Sequence, residues 1–115
     1  MDSPSIGSVV LLPFPFSDLS KAKVRPAVVL AFAGKGDWIL CQVTSKPYAD
    51  SMAVEIMDSD FEVGGLRVRS FARPSKLFTA NGSIFLSCAG RLGRSKRSDL
   101  LNRVMGLFLV SAEVG

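Results

Sequence analysis

The chain has 115 residues, 14 lysines and arginines against 10 acidic residues, no histidine, and 48% hydrophobic residues. That length suits one small domain spanning residues 1–115 with its own core and leaves no room for a second. Without histidine, Ser-His-Asp and Cys-His catalysis and most zinc sites are excluded. Chemistry has to come from arginine, lysine, carboxylates or hydroxyls.

The pattern is one of short apolar runs punctuated by Gly, Pro, Ser, Asp or Asn, which predicts a mostly β chain. Ser8 to Phe16 reads as a first strand, and Pro13 and Pro15 assign its end to an edge or a bulge. Ser17 to Val24 reads as a polar, mobile loop. Ala27 to Ala33 is apolar throughout, as in a strand buried on both faces, and Gly34 to Asp37 turns it into Trp38 to Thr44 as a hairpin. Met52 to Ile56 gives a short strand. Leu66 to Arg73 alternates with period two, which puts Arg67, Arg69, Phe71 and Arg73 on one face. Lys76 to Thr79 and Ile84 to Cys88 flank Asn81-Gly82, a hairpin signal, and Gly90 to Gly93 marks another turn. Ser98 and Asp99 resemble a helix start, with Leu101, Val104, Met105 and Phe108 at helical spacing, so a helix of about 13 residues closes the chain. Five or more strands with one helix predict a small, strongly bent sheet or barrel, α+β but mainly β, of the OB or SH3-like kind.

Cys41 and Cys88 sit in separate apolar runs, which predicts two buried thiols. No stretch resembles a signal peptide or approaches the roughly 20 apolar residues of a membrane helix, so the expected location is the cytoplasm. Charge is segregated along the chain. Leu66 to Arg103 holds nine basic residues and one acid, a net +8, while the remainder, with five basic and nine acidic, is −4. Such a segment suits a polyanion such as nucleic acid; the alternative is a basic face paired with the central acids Asp50, Glu55, Asp58, Asp60 and Glu62.

Three groups of residues carry possible chemistry. Pro26 holds Arg25 in an extended conformation at the mouth of an apolar strand, where a guanidinium can clamp a phosphate and stabilise a phosphorane-like transition state. Thr44 and Ser45 end the next strand with two hydroxyls that can donate to phosphate oxygens. Arg67, Arg69, Phe71 and Arg73 combine cations with an aromatic, suited to a single strand with stacked bases.

The run Gly7 to Leu30 (GSVVLLPFPFSDLSKAKVRPAVVL), followed by CQVTS at Cys41 to Ser45, resembles the MazF/PemK/Kid family of toxin–antitoxin ribonucleases. The likeness continues more loosely through Ser70 to Thr79 (SFARPSKLFT) and the C-terminal helix. It implies an SH3-like barrel of five to seven strands with a C-terminal helix, a homodimer, a cognate antitoxin, and sequence-selective, metal-independent cleavage of single-stranded RNA without a cofactor. Attack of the ribose 2′-hydroxyl would leave a 2′,3′-cyclic phosphate. By the same resemblance Arg25, Thr44 and Arg73 are catalytic, Ser45 and Ser75 lie at the substrate, and Lys21 and Lys23 gate or contact the RNA. Arg67, Arg69 and Phe71 add backbone and base contacts from the strand reading. Ser75 stands where Kid-like members carry Asp, and the first-loop His of some members is absent. Two other readings remain: a non-catalytic nucleic-acid-binding barrel, and a gyrase poison similar to CcdB. CcdB-like chains end in Trp-Gly-Ile, whereas this one ends SAEVG with its one tryptophan at position 38.

Overall fold

In the computed structural model the described residues are 4–15, 22–46 and 50–114. They form seven strands, β1 (Ser8–Pro15), β2 (Ala22–Gly34), β3 (Asp37–Thr44), β4 (Val54–Ile56), β5 (Phe61–Gly64), β6 (Ser70–Asn81) and β7 (Ser87–Leu92), and then α1 (Arg94–Val114). All pairings are antiparallel, in one sheet of order β4-β6-β3-β2-β1-β7-β5. The sheet's two end strands, β4 and β5, are joined by only residues 57–60, one short 3-10 turn included. In a flat sheet these edges would lie about 29 Å apart, at ~4.8 Å per strand. Five Cα steps span at most ~18 Å. The sheet therefore has to curl until its edges approach, which gives the SH3-like barrel form expected from the sequence.

The β2–β3 hairpin forms as its sequence indicates. Gly34 pairs with Asp37, and the two loop residues Lys35 and Gly36 both take positive φ (54° and 80°), the backbone hand that matches strand twist in a tight hairpin. Ala27, Val28, Val29 and Leu30 are all buried, so β2 is the central strand covered on both faces. Val9, Val28 and Cys41 belong to one core cluster, and Val10, Ala27, Val29 and Leu40 to the other. Pro13 and Pro15 also behave as edge residues. β1 pairs with β7 only over Ser8 to Leu11, and its proline-bearing end has a partner on the β2 side alone.

Several expectations are corrected. Residues 65–69 are not strand, because the chain bends at Arg67 and Val68 before β6 begins at Ser70. Asn81-Gly82 is not a hairpin turn. The Asn81 side chain donates to the Lys35 carbonyl at 3.3 Å and to Asp37 at 3.1 Å, and Gly82 N–H donates to the Gly36 carbonyl at 2.8 Å. That pair thus secures the β2–β3 tip while the chain crosses to β7, which pairs with β1 and β5. Gly90 lies inside β7 rather than in a turn. The helix has 21 residues and starts at Arg94. Leu100, Leu101 and Val104 pack on the core, whereas Met105 and Phe108 are exposed, because the earlier start carries the second half past the barrel. Cys41 is buried, and desolvation pushes its thiol pKa up to about 12. Cys88 is exposed, next to the point where the β1–β7 register slips between Gly90 and Cys88. The Ser17–Val24 loop reading falls mostly on residues 16–21, outside the described residues; from Ala22 the chain is already β2.

Candidate active site

One row of residues crosses the sheet. Arg25 pairs with Leu12 of β1, and the β2–β3 ladder pairs Ala27 with Gln42; two residues further along that register Arg25 faces Thr44. Thr44 pairs with Phe71 of β6, and Phe71 with Glu55 of β4. Directly opposed residues in antiparallel strands project to the same side. Leu12, Arg25, Thr44, Phe71 and Glu55 therefore share one face, and the period of two adds Lys23, Gln42 and Arg73 to it. Two strand spacings put the Arg25 and Phe71 backbones about 10 Å apart. The sequence candidates Arg25, Thr44 and Arg73 thus converge from three strands, at the end of the face where the apolar cluster around Leu12 and Leu40 gives way to polar side chains.

Beside them lies a groove of about 270 Å³ lined in part by Leu12, Phe14, Gln42 and Phe78. Phe14 and Phe78 meet edge to face with ring centroids 4.9 Å apart. Thr44 Oγ1 accepts the Lys46 N–H at 3.1 Å, which leaves its own O–H to donate outward. Arg73 Nε donates to Asp50 Oδ2 at 3.0 Å, and the Ser75 hydroxyl donates to the same oxygen at 3.3 Å. Desolvation pushes the Asp50 carboxyl up, but the Met52 N–H, the Arg73 guanidinium and the Ser75 hydroxyl outweigh it, and the net shift is downward. Lys23 is exposed opposite Phe14 of β1, and Ser45 is exposed just beyond β3. Lys21 lies outside the described residues.

The face expected to combine Arg67, Arg69, Phe71 and Arg73 is broken up. Arg67 is exposed in the bend before β6. Arg69 makes a two-point ion pair with Glu55, Nε to Oε2 at 2.7 Å and Nη2 to Oε1 at 3.2 Å, which holds the Glu55 carboxyl below its ordinary range. Phe71 is 6% exposed, and the Arg69 guanidinium covers its ring at 5.1 Å from the centroid. A buried, covered ring is not a stacking platform for a base. The charge segregation also closes on itself. Of the nine basic residues from Leu66 to Arg103, six sit in ion pairs, Arg69 with Glu55, Arg73 with Asp50, Lys96 with Asp60, Arg91 and Arg97 with Glu62, and Arg103 with Asp99. Four acids that stand apart from the segment in sequence, Asp50, Glu55, Asp60 and Glu62, thus offset half of its +8.

Two residues at the site escape the sequence reading. Gln42 could have been found, since it precedes Thr44 by two and shares its face. Asp50 carries no motif, and only the fold brings it to Arg73. Among the described residues no group of three His, Cys, Asp or Glu side chains is arranged to hold a metal ion.

The family model of PemK-like, MazF-like toxins of type II toxin–antitoxin systems matches residues 5–108. The chain belongs to this family. Among solved structures, the toxin resembles MazE-MazF from Deinococcus radiodurans (18% identity, TM-score 0.73, 91% of this chain and 95% of that one). It also resembles an endoribonuclease in complex with its cognate antitoxin from a mycobacterial species (12% identity, TM-score 0.67, 95% of each chain). The Mycobacterium tuberculosis toxin MazF-mt6 is similar as well (17% identity, TM-score 0.65, 88% of this chain and 95% of that one). No curated protein matches the sequence. At these identities the solved structures speak for the toxin's fold, which they share over nearly its whole length.

Proposed function

We propose that this toxin is a sequence-selective endoribonuclease that cuts single-stranded RNA without a metal, by attack of the ribose 2′-oxygen on the adjacent phosphorus. The observation that carries this reading is the convergence of Arg25, Thr44 and Arg73 on one face beside a concave groove, in a chain of the MazF-like family. As the 2′-oxygen bonds to phosphorus, the P–O5′ bond breaks, leaving a 2′,3′-cyclic phosphate and a 5′-hydroxyl. The 2′-hydroxyl proton passes to water and the departing 5′-oxygen takes one up. Arg25 and Arg73 carry the extra negative charge that develops on the phosphoryl oxygens, and the Thr44 hydroxyl donates to one of them. Lys23 contacts the backbone of the strand, with Ser45 and Gln42 beside the path it follows.

The test is purified toxin with single-stranded RNA in EDTA. Fragments ending in cyclic phosphate that vanish with Arg25→Ala support the reading; intact RNA at high enzyme overturns it. Salt-dependent RNA binding without cleavage would instead favour the non-catalytic barrel, a reading that Ser75 in place of the family's Asp keeps in view.

Partners follow from the same family reading. Two of the similar structures named above are toxin–antitoxin complexes, and we infer a cognate antitoxin and a homodimer for this toxin in the cytoplasm. The exposed Phe108, Leu109 and Val110 at the end of α1 give protein partners an apolar surface. An acidic antitoxin tail would compete with RNA for the Arg25 groove, and crosslinks confined to surfaces remote from Arg25 and Arg73 would contradict that competition. Among the described residues no helix is long and apolar enough to cross a membrane.

A further inference from the structure

Asp50 opens the turn that leads into β4, and the Ala53 N–H closes that turn on the Asp50 carbonyl at 3.1 Å. Both carboxylate oxygens are engaged: Oδ1 accepts the Met52 N–H at 2.8 Å, and Oδ2 accepts Arg73 Nε at 3.0 Å and the Ser75 hydroxyl at 3.3 Å. The side chains of Arg73 and Asp50 are 19% and 8% exposed. By contrast, those of the Arg69–Glu55 pair are 68% and 35% exposed. At Asp50 three donors converge on one largely buried carboxylate, so the closed turn places it beside Arg73 without any substrate. The contact with Arg73 is made at Nε, on one edge of the planar guanidinium. Among the described residues the Nη groups on the other edge make no hydrogen bond.

We propose that Asp50 is a positioning residue: it holds Arg73 by Nε so that the Nη edge faces the scissile phosphate, with the Ser75 hydroxyl as a second tether on the same oxygen. A carboxylate that β6 does not supply at position 75 thus reaches the site from the segment before β4. The inference rests on the ribonuclease reading and assigns Asp50 no proton transfer. A carboxylate held ionised by three donors is a weak base near neutral pH.

The decisive variants are D50N, R73A, D50N/R73A, and D50N/S75D. D50N retains an oxygen for the Met52 N–H and loses the charge that holds Arg73. Cleavage of single-stranded RNA should fall about 10- to 100-fold in D50N, the scale expected for a misplaced reacting group. R73A should fall at least as far, and D50N/R73A should fall no further than R73A, because Asp50 acts through Arg73. S75D in the D50N background returns a carboxylate beside Arg73 from β6 and should recover most of the loss. The pH profile supplies a readout that a merely structural role would not move. The wild-type rate declines only as pH falls below the ordinary carboxylate range, where Asp50 becomes protonated, and D50N lacks that limb.

The same proteins, titrated with a single-stranded oligodeoxynucleotide and read through the fluorescence of Trp38, should give the same order of affinities. That ligand has no 2′-hydroxyl and is not cut, so the binding order tests Asp50 even if RNA stays intact and the ribonuclease reading fails. The proposal is overturned if D50N matches wild type in both assays, if the D50N and R73A losses multiply, or if S75D restores nothing to D50N.

Discussion

The row across the sheet has an arginine near each end, and the fold treats the two differently. Arg25 issues from β2, beside the Thr44 hydroxyl and next to the most deeply buried run of the molecule. Arg69, just before β6, is fastened to Glu55 of β4, three strand spacings or about 14 Å from β2, and folded over Phe71. The Arg69 charge is answered by Glu55 at 2.7 Å, so the number of basic residues in a segment does not by itself measure how much of its charge is open to a polyanion.

The comparison can be broken most decisively at Arg25. Arg25→Ala should reduce cleavage about 10²- to 10³-fold, the cost of losing one donor aimed at developing charge, while thermal unfolding stays cooperative. An activity close to wild type would erase the distinction between the two ends. On the proposed mechanism Thr44→Val removes a hydrogen bond to the phosphate, a loss of about 1.5–3 kcal/mol. In single-turnover rates that is roughly a 10- to 100-fold decrease, with the oligodeoxynucleotide affinity changed less.

Two smaller effects sharpen the contrast through salt dependence. Lys23 is exposed on the Arg25 side and makes no ion pair among the described residues. Lys23→Ala should weaken binding several-fold and lower the slope of log affinity against log salt by about 0.7, the share of one phosphate on a single strand. Arg69→Gln should leave that slope unchanged and cleavage within about threefold, since Glu55 already neutralises the guanidinium. Glu55→Gln, the smallest of these changes, should act in the opposite direction by releasing Arg69. Its slope should rise toward the value for one additional phosphate contact, and a slope that does not move would show Arg69 to be out of the ligand's reach.

Where contacts are local, the sequence was legible. The β2–β3 hairpin follows from an apolar run, a Gly-Lys-Gly turn and a second apolar run. Thr44 ends β3 as its place in the sequence indicates, whereas Arg25, expected at the mouth of a strand, lies inside β2, which already begins at Ala22. The failures share a cause, which is competition from partners distant in sequence. Residues 66–69 alternate like a strand, but the chain bends at Arg67 and Val68 and Arg69 turns to Glu55. Asn81-Gly82 reads as a hairpin, but its groups bond to the tip of β2–β3. Phe71 alternates with arginines as if exposed, yet sits between Thr44 and Glu55 in the middle of a row. Asp50 was invisible because its meaning depends on Arg73 and Ser75, 23 and 25 residues onward. The charge tally was incomplete for the same reason, since four of the acids that pair with the basic segment were counted apart from it.

The two sides of the site are mounted on unlike supports, and amide hydrogen exchange would see them on different clocks. Ala27 and Val28, two and three residues from Arg25, are closed in on both faces and paired with strands on both sides. Their amides belong with the slowest to exchange, at openings near the global unfolding free energy. Asp50 is carried by a turn closed by the Ala53 N–H and its own carboxylate, with Ser51 and Met52 exposed, and its amides should exchange far sooner. The arginine of β2 is then a permanent fixture of the folded chain, while the grip on Arg73 is renewed each time that turn closes.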